Sequence, residues 1–402
     1  MKRAGLLKPR LERLHRVLSG YVEHGDVPTL VALVSRNDDV HVEALGTMGV
    51  GDARPAQRDT IFRIASITKP VAAVAAMILV EECKLRLDDP IDPWIPEMAN
   101  RRVLKSIASE IDDTVPAVRP ITVRDVFTSR MGFGSVMALP DTYPIQKYIR
   151  DYRIGGDGHP RPEGLPTMDE WLRRLGSLPL MAQPGERWLY HVSLDLLGAL
   201  IARVSGQSLG AFMRARIFEP LGMKDTSFQV PAEKADRLPP VYASNRQSGT
   251  LEVFDDGGKN SQWLQPYAYE SAAGGLASTV DDYFAFSRML LNKGRHGREQ
   301  ILSRASVELM TSDQVTPEER VGMEIFFGPA SSWGFGMAVN TTRQEIYQTP
   351  GRFGWDGGFG TSAYTDPAEG LIGILLTQRM TDSPEPSRLY TDFWTLAYGA
   401  ME

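Results

Sequence analysis

Strand-like sequence sits at the two ends of this chain and helix-like sequence lies between them. Thr29 to Arg36 (TLVALVSR) and Val40 to Thr47 (VHVEALGT) flank the turn-forming cluster Asn37-Asp38-Asp39, a pattern that predicts a β-hairpin. Strand periodicity returns only after Ser332, in WGFGMAVN, in the glycine-rich GRFGWDGGFGTSAYTDP and in LIGILLTQRM. Two strand sets so far apart in sequence are expected to complete one sheet, with the intervening helical stretch inserted into it. Leu7, Leu11, Leu14, Leu18 and Val22 predict an opening amphipathic helix, and Tyr390, Phe393, Trp394 and Ala397 a closing one. Ser66 to Glu82 reads as a strongly apolar helix, and prolines at 90, 93 and 96 break the chain after it. Helical patterns and Gly/Pro-rich loops then alternate to Gly222, and Pro231 to Lys259 reads as a polar surface excursion. The expected fold is α/β (α+β). An antiparallel sheet from residues 1–88 and 265–402 is flanked by helices, and residues 89–264 form an inserted, mainly helical domain with irregular loops.

Composition narrows the function. The 402 residues are 42% hydrophobic and 23% charged, which fits a globular protein and excludes disordered or fibrous classes. A net charge of -6 without a long basic run removes the electrostatic basis for nucleic-acid or anionic-lipid partners. The longest apolar run, Pro70 to Val80, falls far short of the roughly 20 residues that span a bilayer. The first residues carry charges throughout and lack a secretory apolar stretch, so a cytoplasmic location is expected. A single cysteine, Cys83, permits no internal disulfide and is expected to be a small buried apolar residue. The histidines at 15, 24, 41, 159, 191 and 296 never adopt zinc-helix spacing, so neither metal nor cofactor is expected. Gly257-Gly258-Lys259 reads as a turn, and the G-x-G-x-x-A run from Gly358 to Ala363 as a strand or tight turn, because no helix follows it.

Two serine motifs compete. Ser208 lies in Gly206-Gln207-Ser208-Leu209-Gly210, a G-x-S-x-G pattern that acts as a nucleophile elbow only between a strand and a helix. Leu194, Leu197, Leu200, Ile201 and Val204 are spaced for a helix instead, so Gly206 reads as its C-cap and Ser208 as the next N-cap. Ser66 lies in Ser66-Ile67-Thr68-Lys69, where a helix begins, so the dipole and free N–H groups favour negative charge on it. Lys69 shares its helical face and, if buried against Val71, Val74 and Met77, would shift towards the neutral form that accepts protons. From these residues alone, a capping serine followed by a solvated lysine fits equally well.

A wider set of motifs carries a family resemblance. IFRIASITKPVAA, LRLDDPIDPWIPEM, ITVRDVFTSRMGFG, QPGERWLYHVSLDLLG, IFEPLGMKDTSF, SAAGGLASTVDDYFAFSRMLL and FGWDGGFGTSAYTDP occur in order along the chain. Together they resemble the serine β-lactamase and penicillin-binding-protein superfamily, and within it the family VIII carboxylesterases. The resemblance implies that Ser66 is the acylated nucleophile and Lys69 its proton-handling partner. It implies that Tyr190, in Tyr190-His191-Val192, is a phenol whose pKa, about 10 when free, is lowered by the lysine. Which of Lys69 and Tyr190 takes the serine proton stays open. The third motif falls on Trp355-Asp356-Gly357, with the N–H groups of Ser66 and Gly358 as the implied oxyanion hole; Gly357 and Gly358 also read as packing glycines.

Two departures from the β-lactamase pattern bear on substrate. Val192 stands where an antibiotic-binding asparagine is usual, and Trp355 where a group able to pair with a penicillin carboxylate is usual. The resemblance therefore implies neutral, short-chain carboxylic esters as small-molecule substrates. Phe133, Trp355 and Phe359 are expected either to line an apolar acyl pocket or to be ordinary core.

Overall fold

A computed structural model of the chain describes residues 5–155, 161–245 and 247–402; His159 lies outside the described residues. Its centre is a seven-stranded antiparallel sheet drawn from both ends of the chain. The strands are β1 (Thr29–Arg36), β2 (Asp39–Gly46), β3 (Ser331–Trp333), β4 (Ala338–Asn340), β5 (Phe353–Gly357), β6 (Thr361–Asp366) and β7 (Leu371–Thr377). In space they run β3-β4-β5-β6-β7-β1-β2. The amino-terminal hairpin thus docks beside the last strand, with Leu30 opposite Thr377 and Arg36 opposite Leu371.

β1 and β7 read as unbroken apolar runs because both of their faces are covered. Successive side chains alternate between the faces. Leu30, Ala32, Val34, Leu371 and Leu375 pack with Leu14 and Leu18 of helix α1 (Lys8–Glu23), and with Phe393 and Trp394 of the closing helix Arg388–Gly399. Val31, Leu33, Ile372, Ile374 and Leu376 face the other way, into a core shared with helix α2 (Thr68–Glu81) and helix α3 (Val192–Ser205). Apolar side chains of segment 89–264, including Phe127, Trp171 and Leu197, belong to that same core. The sheet and the helical insertion are therefore packed as one body. α2 is buried almost all round, which explains its weak amphipathicity: it is sandwiched between sheet and insertion.

Ser208 accepts a hydrogen bond from the N–H of Ala211 at 3.2 Å and caps the helix Leu209–Met213, while Gly206, left-handed at φ 69°, ends α3. Cys83 departs from its expected burial. α2 stops at Glu81, and Cys83 adopts a left-handed conformation (φ 56°) that turns it out to solvent.

Candidate active site

The turn bearing Ser66 is anchored from behind. Phe62 and Arg63 pair with Ala277 and Ser278, and the Arg63 guanidinium is fully buried. It is ion-paired with Asp255, donates to Pro239 O at 2.6 Å and to Ser261 Oγ at 2.8 Å, and lies 5.0 Å from the Trp263 ring centroid. Such a buried charge holds its place because removing either partner strands the other. The chain then passes through Ala65 in a left-handed conformation (φ 47°) into a 3-10 turn, Ala65–Ile67, that runs directly into α2. Ser66 therefore occupies the amino-terminal turn of a helix, where backbone N–H groups lack intrahelical acceptors.

β5 closes on this turn. A Cβ on Gly357 would meet the carbonyl oxygen of Ile64 at 2.6 Å and collide with Thr361, so only glycine lets the strand reach the turn bearing Ser66. β4 pairs with β5 only at Phe353 and Gly354. Trp355 to Gly357 thus form an edge facing a cleft of about 310 Å3 lined by Ser66, Tyr190, Trp355, Asp356, Gly357 and Gly358.

Lys69 is completely buried. Its Nζ donates to Ser66 Oγ at 2.9 Å and to Ala273 O at 2.6 Å, and lies 4.5 Å from the centroid of the Tyr190 ring. Burial lowers its pKa to about 7, against the attraction of Asp195, which works in the opposite direction. Tyr190 goes the other way from the sequence expectation. Burial pushes its hydroxyl up to about 12, outweighing the hydrogen bonds with Ser66 and Trp355 that favour the phenolate. The neighbouring lysine does not make Tyr190 acidic, because desolvation penalises both charged forms in the same dry space.

Tyr190 is held by its backbone. A Cβ on Gly134 would meet Tyr190 O at 2.6 Å, and the N–H of Ser135 donates to that oxygen at 2.9 Å. His191, with φ 78° and ψ -67°, and the 3.1 Å bond from Val192 N to Tyr190 O form a strained γ-turn at the start of α3. On the cleft side the indole N–H of Trp355 donates to the Tyr190 hydroxyl at 2.8 Å, and the ring of Phe326 lies 4.6 Å from that of Tyr190.

Behind this pair lies a carboxylate that sequence reasoning missed. Asp195 accepts from Ser271 Oγ at 2.7 Å and from Ala273 N at 3.0 Å, and its second oxygen lies 3.6 Å from His191 Nε2. It braces the Lys69 side through Ala273 and the Tyr190 side through His191. The available signal was the four-residue spacing of His191 and Asp195 at the start of an apolar helix. Met137, Phe326 and segment 381–386 of the cleft wall carried no comparable signal.

Val192, at the position of the usual substrate-binding asparagine, and Phe133 and Phe359, the candidates for an acyl pocket, lie away from the cleft. Phe133 and Val192 are fully buried in the central core, and Phe359 packs against Trp263 and Phe254 behind the turn bearing Ser66. Each has its apolar surface consumed by packing, and none lines the cleft. Among the described residues no group of three or more His, Cys, Asp or Glu side chains is arranged to hold a metal ion.

Fold and relatives together define a serine hydrolase. A family model described as Beta-lactamase matches residues 14–393, and the chain belongs to that family. Protein Rv1367c of Mycobacterium tuberculosis is 35% identical, the match covering 85% of this chain and 83% of the relative. Esterase EstB of Burkholderia gladioli is 31% identical, covering 86% and 85%. The solved structure of EstCE1, described as a hydrolase with promiscuous acyltransferase activity, superposes with a TM-score of 0.80 at 25% identity over 97% of this chain and 98% of that one.

Proposed function

We propose that the protein hydrolyses neutral carboxylic esters with short acyl groups through an acyl-enzyme on Ser66. The observation that carries this reading is the 2.9 Å contact between Ser66 Oγ and a completely buried Lys69 whose pKa is lowered to about 7. A lysine near neutrality accepts a proton, whereas Tyr190 at about 12 holds one, so Lys69 is the base and Tyr190 the acid. Ser66 Oγ attacks the acyl carbon as its proton moves to Lys69, and the oxyanion is received by the N–H groups of Ser66 and Gly358. Tyr190 protonates the departing alkoxide and is reprotonated from Lys69. Water then attacks the acyl carbon, Lys69 takes its proton, and the same proton returns to Ser66 as the acid leaves.

The charge of the cleft supports a neutral substrate. Among the described residues its formally charged lining side chains are Asp356, Asp382 and Glu385, with no lysine or arginine, so these residues offer a penicillin carboxylate no cation. Acyl transfer to an alcohol instead of water requires no further group, and the likeness to EstCE1 favours measuring it alongside hydrolysis. The test is p-nitrophenyl butyrate hydrolysis by wild type, Ser66→Ala and Ser208→Ala, with intact-mass detection of the acyl adduct. Ser66→Ala is expected to lose activity and adduct together while Ser208→Ala retains both; the reverse pattern overturns the assignment.

A further inference from the structure

The cleft opens to solvent across an apolar rim that the chemistry of ester cleavage does not require. Met137, 44% exposed, and the half-buried Phe326 supply that apolar surface. The two side chains come from distant parts of the chain and line the same cleft. Water-exposed apolar area gathered beside a reactive group marks a surface awaiting an apolar partner.

The position of Tyr190 says which half of the ester that partner is. The acyl half stays bonded to Ser66 after the first step, whereas the alcohol must depart towards solvent and admit water behind it. Its oxygen takes a proton from Tyr190, and the Phe326 ring, which lines the same cleft, lies 4.6 Å from the Tyr190 ring. We propose that the substrate is an ester of a lipophilic alcohol, selected by the surface of Met137 and Phe326. This rests on the esterase reading above and adds the nature of the leaving half. A short acyl group and an extended apolar alcohol then occupy different parts of one cleft.

Two ester series separate the halves: acetates of ethanol, butanol, hexanol and octanol, followed by acid release, and p-nitrophenyl esters from acetate to octanoate. Each methylene withdrawn from water at an open rim is expected to raise kcat/KM about two- to fourfold, so octyl acetate, six methylenes longer, exceeds ethyl acetate by roughly 60-fold or more when all six are covered. The acyl series is expected to stay flat or fall. Met137→Ser is expected to reduce the octyl-to-ethyl ratio at least roughly threefold, and Val50→Ser, at an exposed apolar site outside the cleft, to leave it unchanged. The ratio is read within each variant, so a general loss of activity cancels. A flat alcohol series, or a rising acyl series, overturns the proposal while Ser66 acylation still stands. Absence of acylation at Ser66 overturns the esterase reading instead.

Discussion

Ser66 divides the site into two halves built on opposite terms. Behind it, Lys69, Asp195, Ser271 and Ala273 are all buried, and short hydrogen bonds join them into one network. In front of it, Met137 is 44% exposed, Phe326 is half-buried and the connection through Pro384 and Pro386 lies at the surface. In the dry half, removal of one polar group leaves its partner unsatisfied in a low dielectric. In the open half, a side chain changes only how much apolar surface the ligand covers. In the proposed reaction, the dry half thus fixes the chemistry and the open half selects the ester.

The largest expected effect lies in the dry half. Lys69→Met keeps the length of the side chain and removes the base, and kcat/KM is expected to fall roughly 100- to 10,000-fold with no change in far-UV circular dichroism. Retention of activity within tenfold would transfer the base role to another group and undo the division between the halves.

Next in size is a change in pH dependence. With Lys69 at about 7 and Tyr190 at about 12, kcat/KM is expected to rise from acid through pH 7 and then stay level, without an alkaline limb from Tyr190 in the accessible range. The groups facing Lys69 are Ser66, the Tyr190 ring, Asp195 and His191. His191 is held far below its usual range by burial and by Lys69, so it stays neutral and does not supply the limb. Asp195 favours the charged lysine, so Asp195→Asn is expected to move the acid limb to lower pH, read from kcat/KM profiles. A limb that stays put while activity falls would make Asp195 a packing residue alone. Folding stability carries the same sign. Between about 7 and the ordinary lysine value of 10.5, the folded chain binds fewer protons at Lys69 than the unfolded one. The contribution of Lys69 to stability therefore rises with pH across that window.

The two halves were unequally legible in the sequence. β1 and β7 announced themselves as apolar runs of strand length, and the helix after Ser66 by its continuous apolarity, because burial on all sides leaves a compositional mark. Ser66, Lys69 and Tyr190 were reached through ordered motifs, and Ser208 was set aside because a helix precedes it. Asp195 was missed because one carboxylate at the start of an apolar helix resembles an ordinary first-turn acid until the fold brings Ala273 to it. Of the two readings left open for Phe133 and Phe359, core packing is the one realised, and Val192 is buried in the same way. Proximity to a motif says nothing about which way an aromatic or aliphatic side chain points, and all three point into packing. Cys83 was misread because two residues beyond a helix end the backbone reverses its exposure. The open half depends on loops from distant parts of the chain, and no local pattern records their meeting at Met137 and Phe326.

Trp355 stands on the boundary and gives the smallest effect and the finest test. It is buried, packs edge-on against Trp333 at 4.7 Å, and donates its indole N–H to the Tyr190 hydroxyl at 2.8 Å. That bond favours the phenolate, so it makes Tyr190 a better proton donor to the departing alkoxide. Trp355→Phe removes the donor and keeps an aromatic ring at the site. Loss of one neutral hydrogen bond is worth about 0.5 to 1.5 kcal/mol, which predicts a two- to roughly tenfold fall in kcat with KM little changed. Because Lys69 is untouched, the acid limb is expected to remain near pH 7. A change confined to KM would place Trp355 with Met137 in the open half, selecting the ester. A fall in kcat at constant KM would extend the dry half across the cleft to the edge of β5, with Tyr190 held by protein groups on both of its sides.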